Sequence, residues 1–349
     1  MMSLNIELLK RSCEVAGVPG YEQRIRALII ETLQGHVDDL YTDAMGNVIS
    51  LIKGKKPKKM MLAAHMDEIG FMVKHIDEHG FLFFQTLGGF DPKTLTAQRV
   101  IVHGKKDLIG VMGSKPIHLM NAEERKKLPE ISDYFIDMGM DRKSVRQYIN
   151  IGDPISRERN LIEMGDMVNC KSIDNRVSVY MLMEAMMKLK DPPYDTYGVF
   201  TVQEELGIRG ALVAAHSINP DFGLALDTTI AYDVPNAKPE EMITLLGDGP
   251  AIKIMDSSAI SDYRMVKYLK NTADKHNIKW QPEVLPAGGT DTAAMQRMSR
   301  TACITGAISI PTRHLHQVIE TASKQDIVLA IDLILHSIQE IDTFDWLHQ

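Results

Sequence analysis

The most constraining feature of this sequence is a short apolar run that ends in two adjacent carboxylates. Residues 199–202 are rich in β-branched and aromatic side chains, which predicts a buried strand. After Glu204 and Glu205 come Gly207, Gly210 and an apolar-periodic stretch that predicts a helix. In an open α/β sheet, ligands bind beyond the carboxyl ends of the strands. Because two neighbouring acids repel each other, the pair is either a solvated loop or part of a cation site.

Composition narrows the class of protein. The 349 residues are 44% hydrophobic and 24% charged, as in an ordinary soluble globular protein. The net charge of −7 argues against nucleic acid or an anionic membrane as a partner. No apolar run approaches the roughly 18 residues that a membrane span needs. The N-terminal residues show no signal-peptide or lipidation pattern, and the three cysteines are widely spaced, so we expect a cytoplasmic protein.

The pattern of apolar residues along the chain predicts two structural units. Helical and strand-like patterns alternate over residues 1–68 and 165–349, which predicts a discontinuous α/β domain carrying the chemistry. Residues 69–164 instead contain short alternating runs punctuated by glycine, which predicts a small barrel or sandwich inserted into that domain. The lysine-rich segment 54–59 lies between two predicted strands and reads as a solvated hairpin tip.

Further acids and histidines stand at the ends of other predicted strands or at the start of a helix. Taken singly, each has an ordinary explanation: His65 as a hydrogen-bonded core histidine, or Asp174 as a helix cap. Together, imidazole and carboxylate groups suit zinc, cobalt or manganese better than calcium. Two histidines and three ligating acids fill two metal sites if one aspartate bridges them, which leaves one carboxylate as a general base. The candidate positions are His65, Asp174, Glu204, Glu205, Asp227 and His316.

Five segments, in chain order, resemble the signatures of the tetrahedral aminopeptidases, metallopeptidase family 42, whose relatives include glutamyl aminopeptidases and proteins labelled cellulase M. The segments are His65–Gly70, Asp174–Arg176, Gln203–Gly210, Gly288–Asp291 and Pro311–His316. The similarity extends over nearly the whole chain. Asn175 stands where the family often has a second aspartate, and this departure leaves the preceding Asp174 intact.

This resemblance implies a mixed-sheet dinuclear metallo-exopeptidase domain with an inserted all-β domain. It further implies two divalent metal ions, with zinc or cobalt preferred and manganese also suited. The period of an extended segment cannot choose between His314 and His316 as a ligand, but the family spacing selects His316. The implied roles are one metal on His65 and Asp227, the other on Glu205 and His316, Asp174 as the bridge, Glu204 as the general base and Asp67 as the group that orients His65.

The resemblance also implies short peptides as substrates, dimerisation through the inserted domain and assembly into a hollow tetrahedral dodecamer. The leading hypothesis is therefore an aminopeptidase. A deacylase or carboxypeptidase of the same clan is an alternative, although such relatives usually carry an insertion of a different, helix-bearing kind. An endoglucanase needs two carboxylates beside a sugar and no metal, which does not account for the histidines. A non-enzymatic metal-binding protein would not need Glu204. Acidic, basic and neutral N-terminal residues all remain open as the preferred substrate.

Overall fold

The computed structural model describes residues 4–348 of the chain. Its helices are α1 (Ile6–Glu14), α2 (Gln23–Leu33), α3 (Arg142–Tyr148), α4 (Ile173–Lys188), α5 (Arg209–Ile218), α6 (Tyr263–Lys275), α7 (Asp291–Met298) and α8 (Lys324–Gln339). The first strands are β1 (Asp39–Thr42), β2 (Val48–Ile52), β3 (Lys56–His65), β4 (Gly70–Ile76), β5 (Leu82–Leu87), β6 (Arg99–His103), β7 (Asp107–Gly113), β8 (Phe135–Asp137) and β9 (Pro154–Arg157). The remaining strands are β10 (Ile162–Met164), β11 (Met167–Cys170), β12 (Tyr194–Thr201), β13 (Phe222–Ile230), β14 (Ala251–Met255), β15 (Gln281–Val284), β16 (Ile304–Arg313) and β17 (Glu320–Ser323).

The larger unit is built on a mixed sheet of eleven strands. Its main path runs β1-β2-β12-β3-β13-β16-β17-β11-β10, and β14 joins β16 while β15 joins β14. The four central strands β12, β3, β13 and β16 are parallel to one another. Their carboxyl ends therefore meet at one edge of the sheet, which is where the candidate residues are expected to gather.

Helices cover both faces of this sheet, and strand β3 shows why. Its side chains alternate between two separate cores, with Met60, Leu62 and Ala64 in one and Met61 and Ala63 in the other. The first core is closed by α1, α2, α4, α6 and α8, and the second by α5 and α7. A strand buried on both faces is a nearly continuous apolar run, as residues 60–64 are.

The second unit is a closed barrel of six strands in the order β4-β5-β8-β7-β6-β9. It has its own apolar core, to which Phe71, Val100 and Ile136 contribute. A mixed α/β fold with a separate all-β unit is confirmed. The barrel strands lie between Gly70 and Arg157, whereas β10, within the predicted insertion, pairs with β11 in the main sheet.

One local prediction is wrong. Residues 54–59 do not form a hairpin tip, because β2 and β3 are not paired with each other. Strand β12 lies between them, antiparallel to β2 and parallel to β3. The lysines at 56 and 58 are exposed as expected, but they belong to the start of β3. Within residues 4–348, no helix is both long and apolar enough to cross a membrane.

Candidate metal centre

The fold brings the six candidate ligand and base residues to one cavity of about 720 Å³. They arrive from five different parts of the edge described above. His65 is the last residue of β3, and Asp227 lies within β13. Asp174 lies in the first turn of α4, and the peptide bond that joins it to Asn175 is cis. Glu204 and Glu205 follow β12, and His316 follows β16, so four parallel strands and one helix start supply the set.

Asp174 lies between the two histidines. Its Oδ1 atom is 3.3 Å from Nε2 of His65, and its Oδ2 atom is 3.5 Å from Nε2 of His316. The other acids flank this row: Asp227 Oδ1 is 3.7 Å from His65 Nε2, and Glu205 Oε2 is 3.8 Å from His316 Nε2. Ligand atoms at about 2.0–2.1 Å from a tetrahedral zinc ion lie about 3.3–3.4 Å apart. The spacing and donor types therefore fit a site for divalent metal ions.

The charge of the cavity also fits a cation. Burial, followed by repulsion from Asp174, raises the pKa of Glu205 to about 7. Burial likewise raises the pKa values of Glu204 and Asp227 well above their usual range, and neighbouring acids add to the effect. Burial opposes protonation of His65, but Asp174 and Asp67 outweigh it and raise the pKa of the imidazole. Divalent cations would favour the ionised forms of these buried acids and so offset the repulsion between them.

Glu204 and Glu205 are presented by a tight turn with unusual backbone geometry. They begin a short 3-10 segment, Glu204–Leu206, between residues with positive φ: Gln203 at 54°, Gly207 at 111° and Ile208 at 60°. A β-branched residue in the left-handed region is uncommon and requires support from its surroundings. In this turn Glu204 Oε2 lies 3.9 Å from His65 Nε2, and the Glu205 side chain points towards His316.

Asp67 holds the start of this turn. Its Oδ1 atom accepts the backbone N–H of Glu204 at 3.0 Å, and Oδ2 accepts that of Glu205 at 3.1 Å. The side chain is fully buried at 0% exposure. It also lies 3.5 Å from Nδ1 of His65, but the nearer acceptor for that atom is the Asp67 carbonyl oxygen at 3.2 Å. Both the carbonyl and the carboxylate of Asp67 thus lie beside Nδ1 of His65, so its role in orienting that ring stays a prediction, and the carboxylate in addition holds the Glu204–Glu205 turn.

The barrel unit also reaches the site. The loop after β5 places the carbonyl oxygen of Gly89 2.9 Å from Nδ1 of His316. A contact at Nδ1 fixes the tautomer and directs Nε2 towards Asp174. Gly88 makes this approach at φ 93°, and a β-carbon there would lie 2.4 Å from Cγ2 of Ile69. His316 is the most open member of the set, with its side chain 40% exposed.

Three further polar residues around the site were not predicted to have a role there, although Asp291 ends one of the five family-like segments. Glu320 accepts the backbone N–H of Asp174 at 2.9 Å, and Asp291 accepts the hydroxyl of Thr201 at 2.7 Å beneath the cluster. Burial raises the pKa of Asp291 to about 6. Lys253 lines the cavity wall. Lys253 could have been noticed in the sequence, because a charged residue inside the apolar run 251–255 is unusual. No comparable sequence feature marks Glu320.

A second group of possible ligands lies away from this cavity, at the ends of α6 and α8. His276, His336 and Glu340 offer atoms within 4.8 Å of one another. The two imidazole rings are stacked with centroids 3.5 Å apart and an angle of 11° between their planes. The nitrogen lone pairs of two parallel, stacked rings lie in separate planes and do not converge on one point. The two imidazoles are therefore not oriented to bind the same metal ion. His276 Nε2 already contacts Glu340 at 2.8 Å.

Residues 46–333 match the family model of the M42 glutamyl aminopeptidases. The chain belongs to this family. A putative aminopeptidase of Acetivibrio thermocellus is 40% identical over 333 residues, which is 95% of this chain and 98% of that one. The structure of the aminopeptidase APDkam598 from Desulfurococcus kamchatkensis has a TM-score of 0.92 and 37% identity, covering 96% of this chain and 94% of that one.

The TET1 peptidase of Pyrococcus horikoshii, which can assemble into a tetrahedron or a large octahedral shell, has a TM-score of 0.86 and 32% identity. The match covers 96% of this chain and 99% of that one. The predicted relationship to the tetrahedral aminopeptidases is thus confirmed. As a member of the M42 family the chain is a peptidase, and so a hydrolase. Membership also implies divalent metal ions, for which the cavity offers a suitable donor set.

Proposed function

We propose that this protein removes N-terminal residues from short peptides with the help of two divalent metal ions held in the cavity. The observation that carries the proposal is the position of Asp174, whose two carboxylate oxygens face different histidines at 3.3 and 3.5 Å. A carboxylate placed in this way is suited to bridge two ions. His65 with Asp227 would complete one site, and Glu205 with His316 the other. Such a pair of ions supplies Lewis-acid polarisation of a scissile carbonyl and lowers the pKa of water.

Glu204 is proposed as the general base. It lies beside the row of ligands, yet its carboxylate is not needed to complete either metal site. Its Oε2 atom is 3.9 Å from His65 Nε2, so it borders the space in which a substrate carbonyl and the attacking water would meet. Glu204 would take a proton from the water and deliver it to the leaving amine. Groups that transfer protons in this way contribute typically about 10²- to 10⁴-fold to a rate.

The surrounding residues are proposed to act by holding these groups in place. Asp67 fixes the turn that carries both glutamates, and Glu320 holds the start of α4 at Asp174. Gly89 holds His316 from the barrel side. Partners of metal ligands typically affect metal affinity or activity about 10- to 100-fold. In this proposal the barrel unit is therefore part of the active site as well as a separate fold.

We also propose a homo-oligomer that assembles through the barrel unit, on the pattern of the Pyrococcus horikoshii shells. Large apolar side chains are exposed on β7 and on the segment that follows it: Ile109, Val111, Ile117, Leu119 and Leu128. Apolar groups clustered on one surface are typical of protein interfaces. Light scattering on the purified protein tests this. A dodecamer or another closed assembly is expected, and a monomer at micromolar concentration would contradict it.

The enzymatic proposal is tested with matched short peptides carrying free or acetylated N-termini. We expect release of the N-terminal residue from the free peptides only, loss of activity on chelation, and recovery with zinc, cobalt or manganese. Cleavage of the acetylated series instead would favour a deacylase, and release of the C-terminal residue a carboxypeptidase. Hydrolysis of a soluble cellulose derivative by the chelated protein would favour an endoglucanase. No hydrolysis under any metal loading would refute the proposed function.

A further inference from the structure

A buried ion pair forms part of the wall of the active-site cavity. Lys253 on β14 and Glu283 on β15 stand opposite each other in a parallel ladder. Nζ of Lys253 donates to Oε1 of Glu283 and lies 3.6 Å from Oδ2 of Asp256. The lysine side chain lines the cavity yet is only 1% exposed. Glu283 also accepts the hydroxyl of Thr229 at 2.7 Å. The positive charge at the wall is therefore compensated by acids behind it.

The hydroxyl groups near this pair are also engaged within the protein. Ser257 donates to the carbonyl oxygen of Gly288. Ser258 donates to Asp256 Oδ1 at 2.7 Å, and Thr290 donates to Asp256 Oδ2 at 3.1 Å. Apart from the candidate ligands and base, Lys253 is the one ionisable side chain among the described residues that line the cavity. The wall consequently offers a substrate few unused polar groups.

The surface that remains is apolar. Four aliphatic side chains line the same cavity: Ile208, Ile230, Leu285 and Leu315. They come from separate loops and strand ends, so they form a lining around the open space and not one continuous stripe. Binding sites for uncharged side chains are typically apolar walls with a few fixed polar groups.

We propose that this cavity accepts peptides whose N-terminal residue is uncharged and aliphatic, and that Glu283 sets this preference by pairing with Lys253. The inference rests on the proposed aminopeptidase function and names its substrate class. An acidic side chain would have to compete with Glu283 for Lys253 and would add a buried charge. A basic side chain would lie beside Lys253 among aliphatic groups, with Glu283 and Asp256 already engaged. An aliphatic side chain meets neither cost.

The first test compares kcat/KM of the metal-loaded protein for peptides that differ only in the N-terminal residue: leucine, methionine, glutamate or lysine. We expect the leucine and methionine peptides to exceed the others by at least about 10-fold, since an uncompensated buried charge is costly. A preference for glutamate or lysine would refute the inference while leaving the aminopeptidase function intact. No hydrolysis of any peptide would overturn the proposed function and this inference together.

The second test changes the charge of the pair with little change in shape. Glu283→Gln keeps an acceptor for Thr229 but leaves Lys253 without its main counter-charge. We expect the glutamate-to-leucine ratio of kcat/KM to rise at least about 10-fold, because an acidic side chain could now pair with Lys253. The double variant Lys253→Met/Glu283→Gln should return the ratio to that of the wild type. An unchanged ratio in a folded Glu283→Gln protein would refute the role of Glu283.

Two further variants guard against a folding defect. Ile230 is 37% exposed, so Ile230→Arg should be tolerated and would add an unpaired cation to the apolar lining. It too should raise the glutamate-to-leucine ratio, and a fall or no change would count against the inference. Glu163→Gln breaks an exposed pair with Lys324 and serves as the matched surface control, with the ratio expected to stay at the wild-type value.

Discussion

Asp67→Asn tests whether the turn that carries Glu204 and Glu205 depends on a buried carboxylate. Asp67 accepts two backbone N–H groups, one on each of its oxygens, at 3.0 and 3.1 Å. Asparagine has nearly the same shape but only one acceptor oxygen. Its NH₂ group would therefore face one of the two backbone donors, and an N–H group that now meets the fully buried Asp67 side chain would lose its partner.

The expected magnitude follows from those contacts. A hydrogen bond to a charged group contributes about 1.5–3 kcal/mol, and leaving a buried donor unsatisfied costs a similar amount. Loss of one bond alone corresponds to about 10- to 150-fold in an equilibrium constant, at 1.4 kcal/mol per factor of ten. The turn places Glu205 opposite His316 and Glu204 beside His65, so we expect the loss in both metal affinity and kcat/KM.

The assay measures the metal dissociation constant by competition with a chromogenic chelator, and kcat/KM at saturating metal. Asp77→Asn is the matched control, because Asp77 also accepts several backbone N–H groups, those of His79, Gly80 and Phe81, but in the barrel. The control should leave both quantities unchanged. If folded Asp67→Asn keeps metal affinity and kcat/KM within about twofold of the wild type, the assigned role of Asp67 is wrong.

Three other perturbations have expected outcomes. Glu204→Gln keeps the size of the proposed base but removes its proton transfer, so kcat should fall about 10²- to 10⁴-fold while metal content by elemental analysis is unchanged. Glu320→Ala removes the acceptor of the Asp174 N–H and should weaken metal binding about 10-fold or more in chelator competition, whereas Glu320→Gln should stay near the wild type. The hydrogen bond from Arg24 lowers the pKa of Asp107 from 3.8 to about 2. The ionised Asp107 therefore stabilises the folded protein fully above pH 3.8, and this stabilisation is lost as the pH falls towards about 2. The drop in melting temperature caused by Asp107→Asn should therefore shrink as the pH is lowered from about 5 to about 3.

Each of these has a contrary result. A Glu204→Gln protein with a near-normal kcat would remove Glu204 as the base. Equal metal affinity in Glu320→Ala and Glu320→Gln would show that the hydrogen bond to Asp174 does not support the site. A destabilisation by Asp107→Asn that is constant with pH would show that the pair with Arg24 makes no pH-dependent contribution to folding.

The sequence predicted the gathering of candidate residues better than it predicted strand pairing. Five of the six candidates stand at or soon after the end of an apolar run, and Asp174 opens a helix; parallel strands bring such ends to one edge whatever their order. Pairing is a different problem. Strands β2 and β3 are neighbours in sequence, which favoured a hairpin at 54–59, yet β12 from more than a hundred residues away lies between them. The choice depends on long-range contacts that no local pattern records.

The same distinction separates the residues that were predicted from those that were missed. His65, Asp227 and Glu205 each follow or end a recognisable strand, whereas Glu320 and Glu283 act on residues far away in sequence. Glu320 reaches Asp174 across 146 positions, and Glu283 reaches Thr229 across 54. A buried acid of this kind looks like any surface glutamate until its partner is known. Supporting groups are therefore harder to read from sequence than the ligands they support.

The contact between Gly89 and His316 gives the barrel unit a place in the chemistry. Of the candidate ligands, His316 is the most exposed, and it follows a strand on a loop where His314 and His316 both have positive φ. Such a loop needs an external contact to hold one imidazole orientation, and the carbonyl of Gly89, 227 positions away, supplies it. A shift of the barrel relative to the main sheet would thus move His316 before any other candidate ligand. If the proposed function is right, the predicted insertion is a component of the active site, and displacing it should first affect the metal site that Glu205 and His316 would form.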